Sequence, residues 1–312
     1  MNKYMPEGAL ISTMKNHEYT SGLEGLEMAY ERGVILEAEV MLCDHNFNLH
    51  VDISPRIRAI MPKDEVQYVK EGEEIKDIAV LTRVGKTVCF KVKGFEKRAG
   101  GETVVILSRR LAQMECMNNY ISTLIPGDII PTKITHLESF GAFVDIGCGI
   151  TSLLSIDSIS VSRISHPSVR LAVGDMIHTV VKSIDSKGRI YVSERELLGS
   201  WCENASLFNE GQTVKGVIRS VESYGVFIEL RPNLAGLAEY RDDVRPGQSA
   251  AVYIKSIIPE KMKIKLIIID SHDSEEYPEE LEYFIDTDSI SHIDSWQYSP
   301  PNCKKIIESV FV

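Results

Sequence analysis

Two stretches of alternating apolar and outward-facing positions stand out along the chain. In Phe140-Gly141-Ala142-Phe143-Val144-Asp145-Ile146, one side of a strand receives Ala142, Val144 and Ile146, and the other receives Phe143 and Asp145. The pattern returns 84 positions later as Tyr224-Gly225-Val226-Phe227-Ile228-Glu229-Leu230. Each copy puts a large ring on the face that alternation leaves to solvent. The same offset relates Gly127 to Gly211, so the copies keep register through a preceding strand and turn. A fainter third copy, Phe47 to Ile53, follows Gly33.

Around these stretches the pattern predicts strands near 128–137, 142–146, 150–155, 176–185 and 189–193, with a long loop from Ser158 to Gly174. Five short strands with one long crossover match an oligonucleotide-binding (OB) barrel. In the first copy, strands are expected near 34–42, 47–53, 57–61, 76–82, 87–93 and 104–108. The repeat that contains Tyr224 is eleven residues shorter in its crossover, Gly225 to Gly247 against Gly141 to Gly174. Helical spacing is seen at 23–32, at 111–124 and, as a linker, from Glu194 to Phe208. The predicted fold is mainly β: three tandem five-stranded OB-fold barrels with short helical linkers and a small C-terminal extension. The expected divisions are an arm and short helix (1–32), a divergent first repeat (33–110), a linker (111–125), a second repeat (126–199), a linker (200–207), a third repeat (208–270) and an acidic extension (271–312). Residues 1–22 read as a loosely held arm and 271–282 as a flexible acidic linker. In the extension, 283–285 and 290–293 read as a hairpin and 302–311 as a helix.

At 312 residues and 44 % hydrophobic, the chain can bury several cores. No apolar run approaches the roughly 18 residues of a membrane span, and the N-terminus lacks a secretory pattern, so a cytoplasmic protein without membrane partners is expected. Six cysteines without a C-x-x-C pair point to reduced thiols, with no metal or cofactor expected. The net charge of −11 opposes a nucleic-acid partner only until its distribution is considered. Residues 271–312 hold ten acidic and two basic side chains, which leaves the repeats near neutral. Between Arg83 and Arg110 there are eight basic residues against two acidic ones, readable as a solvated strand face or as a phosphate-contacting patch. Lys261, Lys263 and Lys265 alternate with apolar residues, as three ammonium groups on one strand face would.

Gly127 with its aromatic-glycine pair, Val173-Gly174-Asp175, and Ile184-Asp185-Ser186-Lys187-Gly188-Arg189-Ile190-Tyr191-Val192-Ser193 together resemble the RNA-binding repeat of bacterial ribosomal protein S1. The likeness is strong over 127–199, good over 211–269 and weak over 33–110. It implies a five-stranded barrel that holds single-stranded RNA, in a family found on ribosomes, free on messenger RNA and as accessory domains of ribonucleases. In that family two aromatics, a histidine on the third strand, and an Asp and Arg about the last hairpin line the RNA face. Phe140, Phe143, Asp185 and Arg189 match in the second repeat, and Ser155 stands at the histidine position. In the third repeat Tyr224 and Phe227 match, Lys263 stands for the arginine, Glu239 for the histidine and Ile258 for the aspartate. Arg163 and His166, in the crossover loop, lie in a further stretch of likeness and are candidate RNA contacts.

Physical chemistry supports the same reading, because exposed rings give unpaired bases a stacking surface while nearby cations follow the phosphates. The alternatives are rings packed against a neighbouring repeat and Asp185 with Arg189 as a plain turn-flanking ion pair. No phosphate-cradling loop, nucleophile elbow or His-Glu metal helix occurs, so no enzyme activity is expected. The expected function is binding of single-stranded RNA, messenger RNA first, with the small ribosomal subunit as a further partner. A rival reading is a scaffold whose degenerate barrels dock ribosomal or ribonuclease partners.

Overall fold

The computed structural model describes residues 4–69, 72–98, 101–273 and 281–311. The chain divides into two compact units, one of Met1–Leu124 with Asp145–Thr151 and the other of Ile125–Val144 with Ser152–Val312.

In the first unit, α1 (Met14–Thr20) and α2 (Leu23–Arg32) precede β1 (Leu36–Cys43), β2 (Leu49–Ser54), β3 (Ile57–Met61), α3 (Asp77–Leu81), β4 (Thr87–Lys97), β5 (Thr103–Ser108) and α4 (Arg109–Asn119). The strands close in the order β1-β2-β3-β5-β4. Because β3 and β5 run parallel, a crossover must separate them. It passes through α3 and β4. The strand expected at 76–82 is therefore a helix: its bonds are local, Thr82 N–H to Ile78 O, and Ile78 and Leu81 stay exposed while Val80 enters the core.

The N-terminal arm is not loose. Glu7 accepts from Arg109 Nε at 2.6 Å and from Cys89 N at 2.9 Å, while its own N–H donates to Asp145 Oδ2 at 2.7 Å. Leu10 and Ile11 N–H both donate to Glu37, whose carboxyl burial pushes up to about 7. Internal pairing likewise uses much of the basic run. Lys91 pairs with Glu115, Lys93 and Arg110 with the buried Glu65, and Arg109 with Glu7. These cations are spent on packing the unit.

The second unit holds two barrels of the same topology. One has β6 (Ile129–Glu138), β7 (Gly141–Asp145), β8 (Thr151–Ser155), α5 (Ile156–Ile159), β9 (Met176–Ile184) and β10 (Ile190–Ser193), closed as β6-β7-β8-β10-β9. After α6 (Trp201–Ala205) come β11 (Thr213–Glu222), β12 (Gly225–Arg231), β13 (Leu234–Ala238), β14 (Ser249–Ile258) and β15 (Lys263–His272), closed as β11-β12-β13-β15-β14. Inward residues such as Ile134, Ala142, Val144 and Leu154 fill the first of these barrels, and Ile218, Val226, Ile228 and Leu266 the second. The linker expected to be helical from Glu194 to Phe208 is helical only over α6, which a capping box of Ser200 and Glu203 starts. Lys261 lies in the short 3₁₀ turn Pro259–Lys261 and is therefore off the strand that carries Lys263 and Lys265.

Asp145 and Glu229 were expected outward, beside the rings, and are instead buried. Asp145 accepts from Gly147 and Gly149 N–H, and burial lifts its carboxyl to about 6. Glu229 is held by Arg170 and by Arg219 at 2.8 Å. The crossover loop from Ser158 to Gly174 thus serves to pack the two barrels together. Arg170 reaches Glu229, and Val161 N–H donates to Asn233 Oδ1 at 2.7 Å.

The C-terminal extension forms neither the expected hairpin nor the expected helix. Segment 291–293 bonds to the start of β6, through Ile129 N–H to Ser291 O and Ile293 N–H to Gly127 O. Strand β16 (Ser295–Gln297) then pairs with β17 (Glu308–Val310), and Trp296 and Tyr298 bury against the core of the third barrel. Most of the acidic linker expected at 271–282 lies outside the described residues.

Candidate nucleic-acid interface

Glycine positions the first ring pair. A Cβ on Gly141 would lie 2.3 Å from Leu154 O, and one on Gly225 would lie 2.5 Å from Ala238 O. Only a residue without a side chain lets β7 and β12 approach their neighbours there. The aromatic before each glycine leaves the strand at this turn, and the aromatic two residues after it points outward. Phe140 and Phe143 meet edge to face, centroids 6.1 Å apart at 88°, and Tyr224 and Phe227 repeat this at 6.0 Å and 86°. Phe143 and Phe227 are half-buried on their strands, while Phe140 is 52 % and Tyr224 67 % exposed. Their faces are open to a ligand.

At the β9–β10 turn, Asp185 accepts from Lys187 and Arg189 N–H, both at 2.9 Å, and from Arg189 Nε at 2.7 Å. Bonds from the Arg189 backbone and side chain hold its carboxyl below the usual range. The carboxylate thereby braces the turn and orients a guanidinium that stays 65 % exposed. In the third barrel Ile258 stands opposite Lys263 across the corresponding turn, which removes the carboxylate and leaves one ammonium.

Ser155, at the end of β8, donates to Ser158 Oγ at 2.9 Å, and Lys182 Nζ binds that same hydroxyl at 2.8 Å. His166 Nδ1 accepts from Ser168 N at 3.1 Å, which caps the 3₁₀ turn Pro167–Val169, and Arg163 is exposed nearby in sequence. Among the described residues neither Arg163 nor His166 makes a ring contact with Phe140 or Phe143.

Two side chains missed by the sequence reading join this face. His136 of β6 lies nearly parallel to Phe143, at 6.5 Å and 20°, with Nε2 2.8 Å from Glu138 Oε1. Tyr191 of β10 projects outward between buried Ile190 and Val192, opposite Leu153. For Tyr191 the signal was alternation, which puts it on the same face as Arg189. His136 lies two residues beyond buried Ile134, so alternation pointed it inward, and a break in the strand pattern like the register shift between Ile218 and Ser220 of β11 turns it out. Among the described residues no group of three or more His, Cys, Asp or Glu side chains could hold a metal.

The S1 RNA binding domain family matches residues 123–195, which include the barrel that carries these rings. The small ribosomal subunit protein bS1 of Staphylococcus saprophyticus is 30 % identical over 278 residues, covering 84 % of this chain and 67 % of that protein. The chain belongs to the bS1 family. The bS1 of Staphylococcus aureus strain COL is 27 % identical, with 84 % of this chain and 68 % of that protein covered. A multidomain protein with nucleic acid binding domains from Streptococcus pneumoniae aligns over 76 % of this chain and 73 % of its own, at 15 % identity and a TM-score of 0.24. As a bS1-family member the chain is a non-catalytic protein of tandem S1-type barrels.

Proposed function

We propose that this protein holds single-stranded RNA, messenger RNA foremost, on the outer faces of its second and third barrels, and works in association with the small ribosomal subunit. The observation that carries the reading is the repeated edge-to-face ring pair, its leading ring exposed, on two barrels of one unit. Stacking on such rings requires bases free to splay, and it is tolerant of sequence because every base has a π-face. Arg189 and Lys263 supply cations for the phosphates at matching turns. The ribosomal association rests on the relatives, which are small-subunit proteins.

A labelled single strand and its duplex, titrated at matched salt, test the reading. The single strand should bind more tightly. Phe143→Ala should weaken it by about 1 to 3 kcal/mol. Arg189→Ala should lower the salt slope by about 0.7, the share of one phosphate contact on a single strand. Equal affinity for strand and duplex would overturn the proposal.

A further inference from the structure

We infer that His136 and Tyr191 extend the Phe140 and Phe143 pair into a four-ring base-stacking platform, which specialises the second barrel for bases and leaves the third mainly to phosphates. The inference rests on the RNA reading above and adds what each barrel takes from the strand.

The third barrel shows the underlying row. Ser220 of β11 stands opposite Phe227 of β12, Phe227 opposite Leu237 of β13, and Leu237 opposite Lys265 of β15. Four directly opposed residues on adjacent strands span about 14 Å of one sheet face. The 84-residue offset carries Ser220, Phe227 and Leu237 back to His136, Phe143 and Leu153, and Tyr191 stands opposite Leu153 as Lys265 stands opposite Leu237. Where one barrel has serine and lysine at the ends of the row, the other has two rings.

Geometry agrees with this role for both ends. The His136 side chain is 62 % exposed, yet its ring lies within 20° of the plane of Phe143. Near-parallel rings can take their places in one stack with bases. Tyr191 lies two residues beyond Arg189 on the same face, so a base stacked on its ring would leave its phosphate toward the guanidinium. In the third barrel, Lys263, Lys265 and Lys255 are exposed around the Tyr224 and Phe227 pair's sheet face, a surface suited to backbone charge.

Anisotropy titrations of the full chain with labelled oligouridylate, at several salt concentrations, test the inference. His136→Ala and Tyr191→Ala should each weaken binding about 5- to 100-fold with the salt slope unchanged, since stacking releases no counterions. Tyr191→Phe should bind as the native chain does, whereas Lys265→Ala should lower the slope by about 0.7. The indole introduced by Tyr191→Trp should be quenched by the oligonucleotide, a readout that does not depend on the alanine variants folding. Native affinity in both alanine variants, or no quenching, would overturn the four-ring platform while Phe143→Ala still weakened binding. If Phe143→Ala also bound normally, the RNA reading itself would fail.

Discussion

Glu194 is fully buried where β10 gives way to the linker. Its Oε1 accepts from Tyr283 Oη at 3.2 Å, and its Oε2 has no hydrogen-bond partner among the described residues. Burial pushes its carboxyl from 4.5 up to about 8, with the Arg170 charge only partly opposing the shift. Near neutral pH the native state therefore keeps a proton that the unfolded chain has lost. Stability from this group is complete below about 4.5, falls as pH rises toward about 8, and is gone above it. The full slope for one such proton is about 1.4 kcal/mol per pH unit. Glu194→Gln keeps a neutral group of similar shape, so its melting temperature should vary less between about pH 5.5 and about pH 8 than that of the native chain, a difference that thermal melts across that range can read. Parallel profiles would show that the carboxyl titrates normally.

At the scale of elements, the crossover loop of the second barrel explains why the third does without one. Arg170 leaves that loop to reach Glu229 on β12, and both side chains are buried. Removing Arg170 takes one of two arginines from a buried carboxylate. Arg170→Ala should cost about 1.5 to 3 kcal/mol in urea denaturation, because Glu229 loses one charge-assisted bond and keeps the one from Arg219. Replacing all three, as Arg170→Met and Arg219→Met with Glu229→Met, should recover most of the loss, since an apolar cluster no longer carries the desolvation cost. If the single variant is as stable as the native chain, the loop is not what couples the barrels.

For the whole molecule, the C-terminal extension decides what the second unit is. An extension this acidic, tethered beside β15, could compete with RNA for the lysines of that strand. Two of its described acidic residues pair elsewhere: Asp273 with Arg245, and Glu282 with Arg231 at 2.8 Å. His292 binds Asp128 at 2.7 Å beside β6, and Tyr298 donates to the backbone of Asn233 between β12 and β13. The extension fastens both barrels of the unit. Cutting the chain after Asp270 should therefore lower the melting temperature or solubility and give no gain in RNA affinity at low salt. A soluble fragment with tighter binding would mean that the extension acts as an electrostatic brake.

Some of this protein was legible in the sequence alone because it is a local matter. Alternation with period two, the glycine after each leading aromatic, and a repeated offset specify strands, faces and register, since steric rules act within a few residues. The barrels, the outward Phe143 and Phe227, and the Asp185 to Arg189 turn followed from that. The destinations of charged and irregular segments did not, because they depend on partners far along the chain. Glu7 meets Arg109, Arg170 meets Glu229, and Tyr283 meets Glu194, each across dozens of positions. The same holds for Asp145 and Glu229, whose alternation pointed outward until glycine amides in one case and two arginines in the other made burial affordable. Pattern decides which face a side chain leaves from, and only tertiary structure decides whether solvent or another part of the chain is waiting there.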